Sequence, residues 1–314
     1  MEQRGTSNAV HGHVDGSVVQ ARDIHGDVHL HHHAAPRAEP VSRPSSGLGP
    51  EVEVGAVRYL VHEHPADARS TGDGGAVVRQ ARCLRSGSGG LGWLRRVELR
   101  EATPLARRAW RGLVAEHDLL RRLSAPGLPA VLQFAEGADD VTLVTAWPHT
   151  RAHRPCEPLD ALLPGGPVRD PGVTARVCAA LAGLCATLAA LHAHRVAHGA
   201  LTPARLVLRP DGTLLLRDLG RTDTGPPEYP APEQLAGHAP GPRTDVHQVG
   251  AVAYHLLTGR QPDPRAPLPV RSWAPDVPAA LADAVDAALN PEPARRPDVA
   301  ALGARLHDLA RPTR

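Results

Sequence analysis

The side chains that could handle phosphate or a metal ion lie together in one short stretch of the sequence, residues 198–220. Asp218 offers a carboxylate, which is a ligand for magnesium, and Arg205 offers a guanidinium, which can pair with phosphate. Two apolar runs, residues 206–208 and 214–216, flank a Pro-Asp-Gly turn. This pattern predicts a β-hairpin. The hairpin would hold the loop before it beside Asp218.

The layout of this stretch resembles the catalytic loop and metal-binding segment of the protein kinases, H-R-D-L-x-x-x-x-N followed by a hairpin and D-F-G. The matching frame positions are His198, Leu201, Pro203, Asp218 and Gly220. The chemical positions differ: Ala200 stands at the catalytic Asp, Thr202 at the phosphate-binding Lys, and Arg205 at the Asn that holds the second magnesium ion. The resemblance implies a kinase fold that does not phosphorylate protein, a pseudokinase.

These differences bear on proton transfer and on metal binding. Ala200 cannot orient a hydroxyl or accept its proton, and losing one such group commonly costs a factor of about 10² to 10⁴ in rate. The guanidinium of Arg205 would repel a magnesium ion, which leaves Asp218 as the one obvious metal ligand. Arg205 and Arg96 could instead replace the metal's charge and bind ATP without magnesium. The alternative to a pseudokinase is a diverged Ser/Thr kinase that binds ATP and retains weak phosphotransfer.

Residues 51–148 predict a small, sheet-rich N-lobe. The resemblance equates one of its strands with the family's Val-Ala-x-Lys strand. In that register Arg96 takes the Lys position, and Leu94 takes the position of the small residue that covers adenine. A helix predicted over 105–123 carries Glu116, which the resemblance makes the partner of the strand residue.

A glycine cluster in residues 71–78 stands where the family's glycine-rich loop would cover nucleotide phosphates. The spacing G-x-G-x-x-G is not met, because Val77 occupies the third glycine position. An ordinary hairpin turn explains the cluster equally well.

Residues 149–312 predict a larger, helical C-lobe. Apolar residues recur at helical spacing and predict a buried central helix; they are Val177, Leu181, Leu184, Leu188 and Leu191. The resemblance gives structural roles to four residues. Asp245 would hold the catalytic-loop backbone, His198 would belong to the structural frame, and Glu233 would pair with Arg296. The expected fold class is α+β, a two-lobed protein kinase-like fold preceded by a flexible β-prone tail.

The tail, residues 1–35, carries a strand signal because apolar or Gly residues alternate with polar ones. Its centre resembles the RIP homotypic interaction motif and bacterial amyloid-signalling motifs through Val18, Val19, Gln20, Ala21, Ile24 and Gly26. The resemblance implies stacking with copies of the same motif. There are two alternatives: the tail is disordered, or it forms a strand that adds to a neighbouring sheet. A Pro- and Ser-rich linker, residues 36–50, follows.

Together the two resemblances imply a signalling adaptor whose N-terminal motif drives homotypic β-assembly, in bacterial defence or cell death. Its expected partners are proteins with a similar motif, including copies of itself. The net charge of +2 favours neither nucleic acid nor a membrane surface. The four cysteines form no metal-type pair, which fits a reducing cytoplasm. No secretory signal is visible, and the apolar run 177–191 falls short of the roughly 20 residues of a membrane span.

Overall fold

The structure, a computed structural model, describes residues 51–61, 68–219 and 228–311. These residues belong to one compact unit of the chain. The expectations for the N-terminal motif and the linker, residues 1–50, lie outside the described residues.

A single antiparallel sheet and one helix make up the first part of the described chain. The elements are β1 (Glu51–Val54), β2 (Val57–Val61), β3 (Ala68–Ser70), β4 (Ala76–Arg85), β5 (Leu91–Leu99), α1 (Pro104–Arg122), β6 (Val131–Glu136) and β7 (Asp140–Ala146). The strand order is β1-β2-β4-β5-β7-β6, and β3 pairs with β4. Strands β2 and β3 therefore lie along one edge of β4, against its last and first residues respectively.

Helix α1 begins at a well-formed cap. The hydroxyl of Thr103 accepts a hydrogen bond from the backbone N–H of Ala106 at 3.2 Å, and Pro104 occupies the first helical position. Its buried face includes Leu113, which packs against Val97 of β5 in one apolar cluster. The helix thereby lies against one face of the sheet, as the predicted range 105–123 anticipated.

The second part of the described chain is mainly helical, with one short hairpin. Its elements are α2 (Pro171–Ala193), β8 (Leu206–Leu208), β9 (Leu214–Leu216), α3 (Pro232–Leu235), α4 (Pro242–Thr258), α5 (Ala279–Ala288) and α6 (Val299–Leu309). Short 3-10 turns lie at Leu159–Leu162, Pro203–Arg205, Val270–Ser272 and Pro293–Arg295. The resulting architecture is α+β with a sheet-rich N-lobe and a helical C-lobe.

Helix α2 is the centre of the C-lobe core. Leu181, Leu184, Leu188 and Leu191 are completely buried, each with 0% exposure, and the helix packs against α4, α6 and β9. By length and composition this helix of 23 residues is also apolar enough to cross a membrane, with a mean hydropathy of 1.7 over an 18-residue stretch. The helix is longer than the apolar run 177–191 from which its length was predicted, because it extends beyond that run at both ends. Its buried apolar face is accounted for by the packing of the C-lobe.

The predicted hairpin is confirmed as β8 and β9, which pair antiparallel from Leu206 opposite Leu216. In the turn, the carboxylate of Asp211 accepts the N–H of Thr213 at 2.9 Å, and Gly212 has a φ of +83°, which favours glycine. The hairpin brings its two ends together, since the N–H of Arg217 donates to the carbonyl of Arg205 at 3.0 Å. Asp218 is thus held beside the loop before β8.

All four cysteines are buried and free. Burial raises the pKa of Cys178 to about 11 and that of Cys185 to about 12. Thiols in this state are small packing groups and poor nucleophiles.

Candidate functional site

The loop before the hairpin is held by Asp245 of α4. Its fully buried carboxylate accepts the backbone N–H groups of His198 at 2.9 Å and Gly199 at 2.6 Å. His192 contacts the same carboxylate at 2.7 Å, and the side chain of Gln248 accepts the N–H of Leu201 at 2.9 Å. Asp245 therefore lies where the sequence placed it, as the residue that fixes the loop backbone.

His198 links this loop to the end of β9. Its Nδ1 accepts the N–H of Ala200 at 3.2 Å, so Nε2 carries the proton and donates to the carbonyl of Arg217 at 3.2 Å. Burial lowers the pKa of His198 to about 4, and the nearby charge of Arg205 acts in the same direction. The imidazole is consequently neutral near pH 7 and serves as a positioning group.

Glu233 and Arg296 form the predicted pair in the C-lobe. Two parallel contacts of 2.8 Å join the guanidinium to the carboxylate. Arg296, which is 2% exposed, also donates to the carbonyls of Asn290, Arg243 and Pro291. Burial alone would raise the pKa of Glu233, but hydrogen bonds from Arg296 and Thr244 outweigh it and lower the pKa to about 2.

No carboxylate lies at the position where the kinase pattern has its catalytic Asp. Ala200 occupies that position, and the guanidinium of Arg205 donates to the Ala200 carbonyl at 2.8 Å. Thr202 is buried, with 7% exposure. The loop therefore presents a methyl group where proton transfer would require a carboxylate, and a cation where a metal ion would require an amide oxygen.

The strand position that faces Glu116 belongs to Arg95, so the prediction of Arg96 was wrong by one residue. Arg95 is 1% exposed and forms an ion pair with Glu116. Arg96 lies on the opposite face of β5, where Nε donates to the hydroxyl of Thr142 at 2.8 Å and pairs with Asp140 at 3.4 Å. Successive strand residues alternate between faces, so a register shift of one residue exchanges the two arginines.

Arg95 joins Glu116 to Asp218. The Nε of Arg95 lies 3.2 Å from Asp218 Oδ1, and the indole N–H of Trp93 donates to the same oxygen at 3.1 Å. Burial alone would raise the pKa of Asp218, but the charges of Arg217, Arg95 and Arg205 outweigh it and lower the pKa to about 2. Asp218 also has a φ of +62°, a strained backbone for a residue with a side chain.

Beside Arg95 and Asp218, large side chains fill the cleft between the two lobes. Trp93, two residues before Arg95 on the same face of β5, packs against Trp147, with ring centroids 5.3 Å apart. The guanidinium of Arg217 lies 4.2 Å from the centre of the Trp93 ring and 5.4 Å from that of Trp147. Hydrogen bonds of 2.9 and 2.6 Å to the Ala204 carbonyl hold Arg217 in place.

In this register Trp93, and not Leu94, occupies the position of the residue that covers adenine. Leu94 is buried on the other face of β5, where it packs with Tyr59 and Cys83. The prediction for Leu94 was wrong for the same reason as that for Arg96. The large ring of Trp93 stands where the kinase pattern needs a small side chain.

The turn at 71–75 is closed by its own side chains. The carboxylate of Asp73 accepts the hydroxyl of Thr71 at 2.7 Å and the N–H of Gly75 at 3.0 Å. Hydrogen bonds from Thr103 and Thr71 lower the pKa of Asp73 to about 2. A fixed negative charge on this turn opposes the binding of phosphate, and the ordinary-turn interpretation accounts for the glycines.

The residues present do not fit the magnesium ion that a kinase uses. Among the described residues, no group of three or more His, Cys, Asp or Glu side chains is arranged to hold a metal. The Asp218 carboxylate instead contacts Arg95 at 3.2 Å and Arg217 at 3.7 Å. A divalent cation would have to displace these guanidinium groups.

Sequence reasoning missed four residues that fill or neutralise the cleft. They are Trp93, Arg95, Trp147 and Arg217. Strand alternation counted from Val97, which packs beneath α1, would have placed Arg95 and Trp93 on the helix side. The residues predicted for homotypic interaction, Val18 to Gly26, lie outside the described part of the chain.

Comparison with curated proteins finds protein kinases, several of them bacterial. Over 226 residues the chain is 29% identical to the DNA damage-responsive serine/threonine-protein kinase RqkA of Deinococcus radiodurans, covering 61% of this chain and 32% of that protein. Over 133 residues it is 27% identical to the serine/threonine-protein kinase PknA of Mycobacterium tuberculosis, covering 33% of this chain and 30% of that protein. The chain spans about a third of the length of these relatives. No protein-family model matches it.

Comparison with solved structures finds the same fold. The kinase domain of Mycobacterium tuberculosis PknI superposes with a TM-score of 0.62 at 21% identity, covering 85% of this chain and 98% of that domain. The expected two-lobed kinase fold is thereby confirmed. In sequence, the chain is related to bacterial serine/threonine kinases.

Proposed function

We propose that this kinase-like protein, related to bacterial serine/threonine kinases, is a cytoplasmic signalling adaptor that transfers no phosphate. Its kinase-like body acts as a binding module. Its N-terminal motif assembles with similar motifs on partners and on copies of itself.

One observation carries the first part of the proposal: the cleft is filled by Trp93 and Arg217, and the carboxylate of Asp218, at the metal-ligand position of the kinase pattern, is already neutralised. A buried cation over an indole ring contributes about 2 kcal/mol. A nucleotide would have to separate Arg217 from Trp93 and draw Asp218 away from Arg95. Ala200 would still provide no base for the substrate hydroxyl.

The test is transfer of radiolabelled phosphate from ATP, with magnesium, to the protein itself and to a generic basic substrate protein. We expect incorporation no greater for the full chain than for the Asp218→Asn variant. Incorporation that depends on Asp218 would overturn the proposal.

A diverged Ser/Thr kinase is the second candidate function. Two sets of contacts favour it. Arg95 contacts both Glu116 and Asp218, and the carboxylate of Asp245 accepts the backbone N–H of His198 in the loop. These contacts bring together groups from both lobes, as an active kinase requires. In this case an assay with magnesium would detect slow transfer that Asp218→Asn abolishes.

The assembly half of the proposal rests on the alternating pattern of residues 8–31 and on the resemblance of its centre to known stacking motifs. A peptide of residues 5–33 should form fibrils that bind thioflavin, and Gln20→Pro should abolish them, because proline cannot donate to a strand ladder. A peptide that stays monomeric at high concentration would contradict this half.

Acidification below about pH 6 should weaken assembly of the same peptide, because the segment's histidines become charged.

A further inference from the structure

A groove of about 660 Å³ runs beside α1. Its floor is apolar and includes Leu119, Val196, Ala197 and Leu219. Glu116 also borders the groove, but its carboxylate is committed to Arg95. The groove therefore offers aliphatic surface with little negative charge of its own.

Three arginines of α1 line this groove: Arg108, Arg111 and Arg122. All three are exposed. Among the described residues, no carboxylate forms an ion pair with any of them, whereas the exposed Arg79 is paired with Glu98 at 3.1 Å. The groove is thus bordered by cations whose charge is not balanced by neighbouring acids in the described part of the chain.

The spacing of these arginines sets the length of a matching ligand. Arg108 and Arg122 are 14 positions apart in the sequence, which at a rise of 1.5 Å per residue corresponds to about 21 Å along the helix. An extended peptide covers this length with about six residues at roughly 3.3 Å each. The apolar floor lies between the two charged ends.

We propose that this groove binds an extended segment of a partner protein, about six or seven residues long. The segment would carry acidic side chains towards both ends and aliphatic side chains in the middle. Charge complementarity selects the acids, and burial against Val196 and Ala197, which are partly exposed, favours the aliphatic centre. Single-stranded nucleic acid fits less well, because the described residues of the lining include no aromatic ring on which a base could stack. The inference does not depend on whether the cleft binds nucleotide.

The test is selection of a phage-displayed random heptapeptide library on the full chain. We expect enriched sequences with Asp or Glu flanking Leu, Ile or Val, and their synthetic peptides should bind more weakly as salt increases. Binding should fall at least tenfold in the double variant Arg108→Glu with Arg122→Glu, which reverses the charge at both ends of the groove.

The matched control is Arg107→Glu with Arg121→Glu. These two residues immediately precede the groove arginines, are exposed, and do not line the groove. The control has the same change in net charge and should bind as the unaltered chain does. Circular dichroism should show similar melting for both variants, because all four side chains are exposed. The proposal is overturned by the absence of enrichment, by enriched peptides without acids, or by equal loss of binding in both variants.

Discussion

Two buried arginine–glutamate pairs organise this protein, and they differ in what they are connected to. In the C-lobe, Arg296 pairs with Glu233 and donates to three backbone carbonyls nearby. In the cleft, Arg95 pairs with Glu116 and also contacts Asp218, whose carboxylate accepts from Trp93. The first pair connects backbone segments to one another, whereas the second neutralises a group that an active kinase would use for metal binding.

The difference shows that the frame of a kinase fold and its chemistry are separable. The C-lobe frame needs Glu233, Arg296 and Asp245 to position the backbone, and all three make their expected contacts. The cleft contains Ala200 in place of an acid, and the guanidinium of Arg217 lies over the ring of Trp93. Contacts that fix the backbone persist here beside altered reaction groups.

The largest effect is expected from breaking the C-lobe pair. Glu233→Ala leaves Arg296 buried without its carboxylate, and the free energy of unfolding should fall by about 3 to 5 kcal/mol. Urea unfolding measures this loss. In the control, Glu292→Ala removes the partner of the neighbouring Arg295, whose pair is exposed on both sides, and should cost less than about 1 kcal/mol. Equal losses in the two variants would show that the buried pair has no special structural role.

A second effect concerns stability at acid pH, and it compares a buried histidine of the C-lobe with an exposed one. Burial, with the charge of Arg296, lowers the pKa of His247 to about 4. Below about pH 6.5 the unfolded chain binds a proton that the folded chain does not bind until about pH 4, so stability is lost as the pH falls through this window. The loss amounts to at most about 3 kcal/mol for His247.

Unfolding midpoints in urea between pH 7 and pH 4 test this effect. His247→Leu should make the profile less steep between pH 6.5 and 4 but not flat, because the equally buried His198, whose pKa is also lowered to about 4, still titrates there. His307→Leu, at an exposed position on α6, should leave the profile unchanged. A profile of the same slope in both variants would contradict the assignment to His247.

A smaller effect is expected in the cleft, where it tests the register of β5. Arg95→Met leaves Glu116 and Asp218 without a shared cation and should cost about 2 to 3 kcal/mol of unfolding free energy. The adjacent Arg96→Met removes a partly exposed contact with Asp140 and Thr142 and should cost less than about 1 kcal/mol. Chemical denaturation of both variants measures the difference. A larger loss for Arg96→Met would contradict the observed register.

The sequence predicted the frame well because its signals are local or strongly patterned. The Asp-Gly turn determined the hairpin, and the apolar repeat identified α2. The cleft was harder to predict, because its content depends on which face of β5 each residue occupies. Two adjacent arginines carry no local mark that tells Arg95 from Arg96, and the packing of Val97 beneath α1 decides between them. The position of Arg217 over Trp93 joins residues 124 positions apart, a contact that no local pattern reveals.

The most direct test of the filled cleft is a thermal-shift titration of the full chain with ATP, with and without magnesium. We expect no change in Tm in either condition, because Trp93, Trp147 and Arg217 occupy the cleft and guanidinium groups neutralise Asp218. A rise in Tm that requires magnesium would contradict it and support an active kinase. A rise without magnesium would also contradict it, since nucleotide would then bind where these side chains lie.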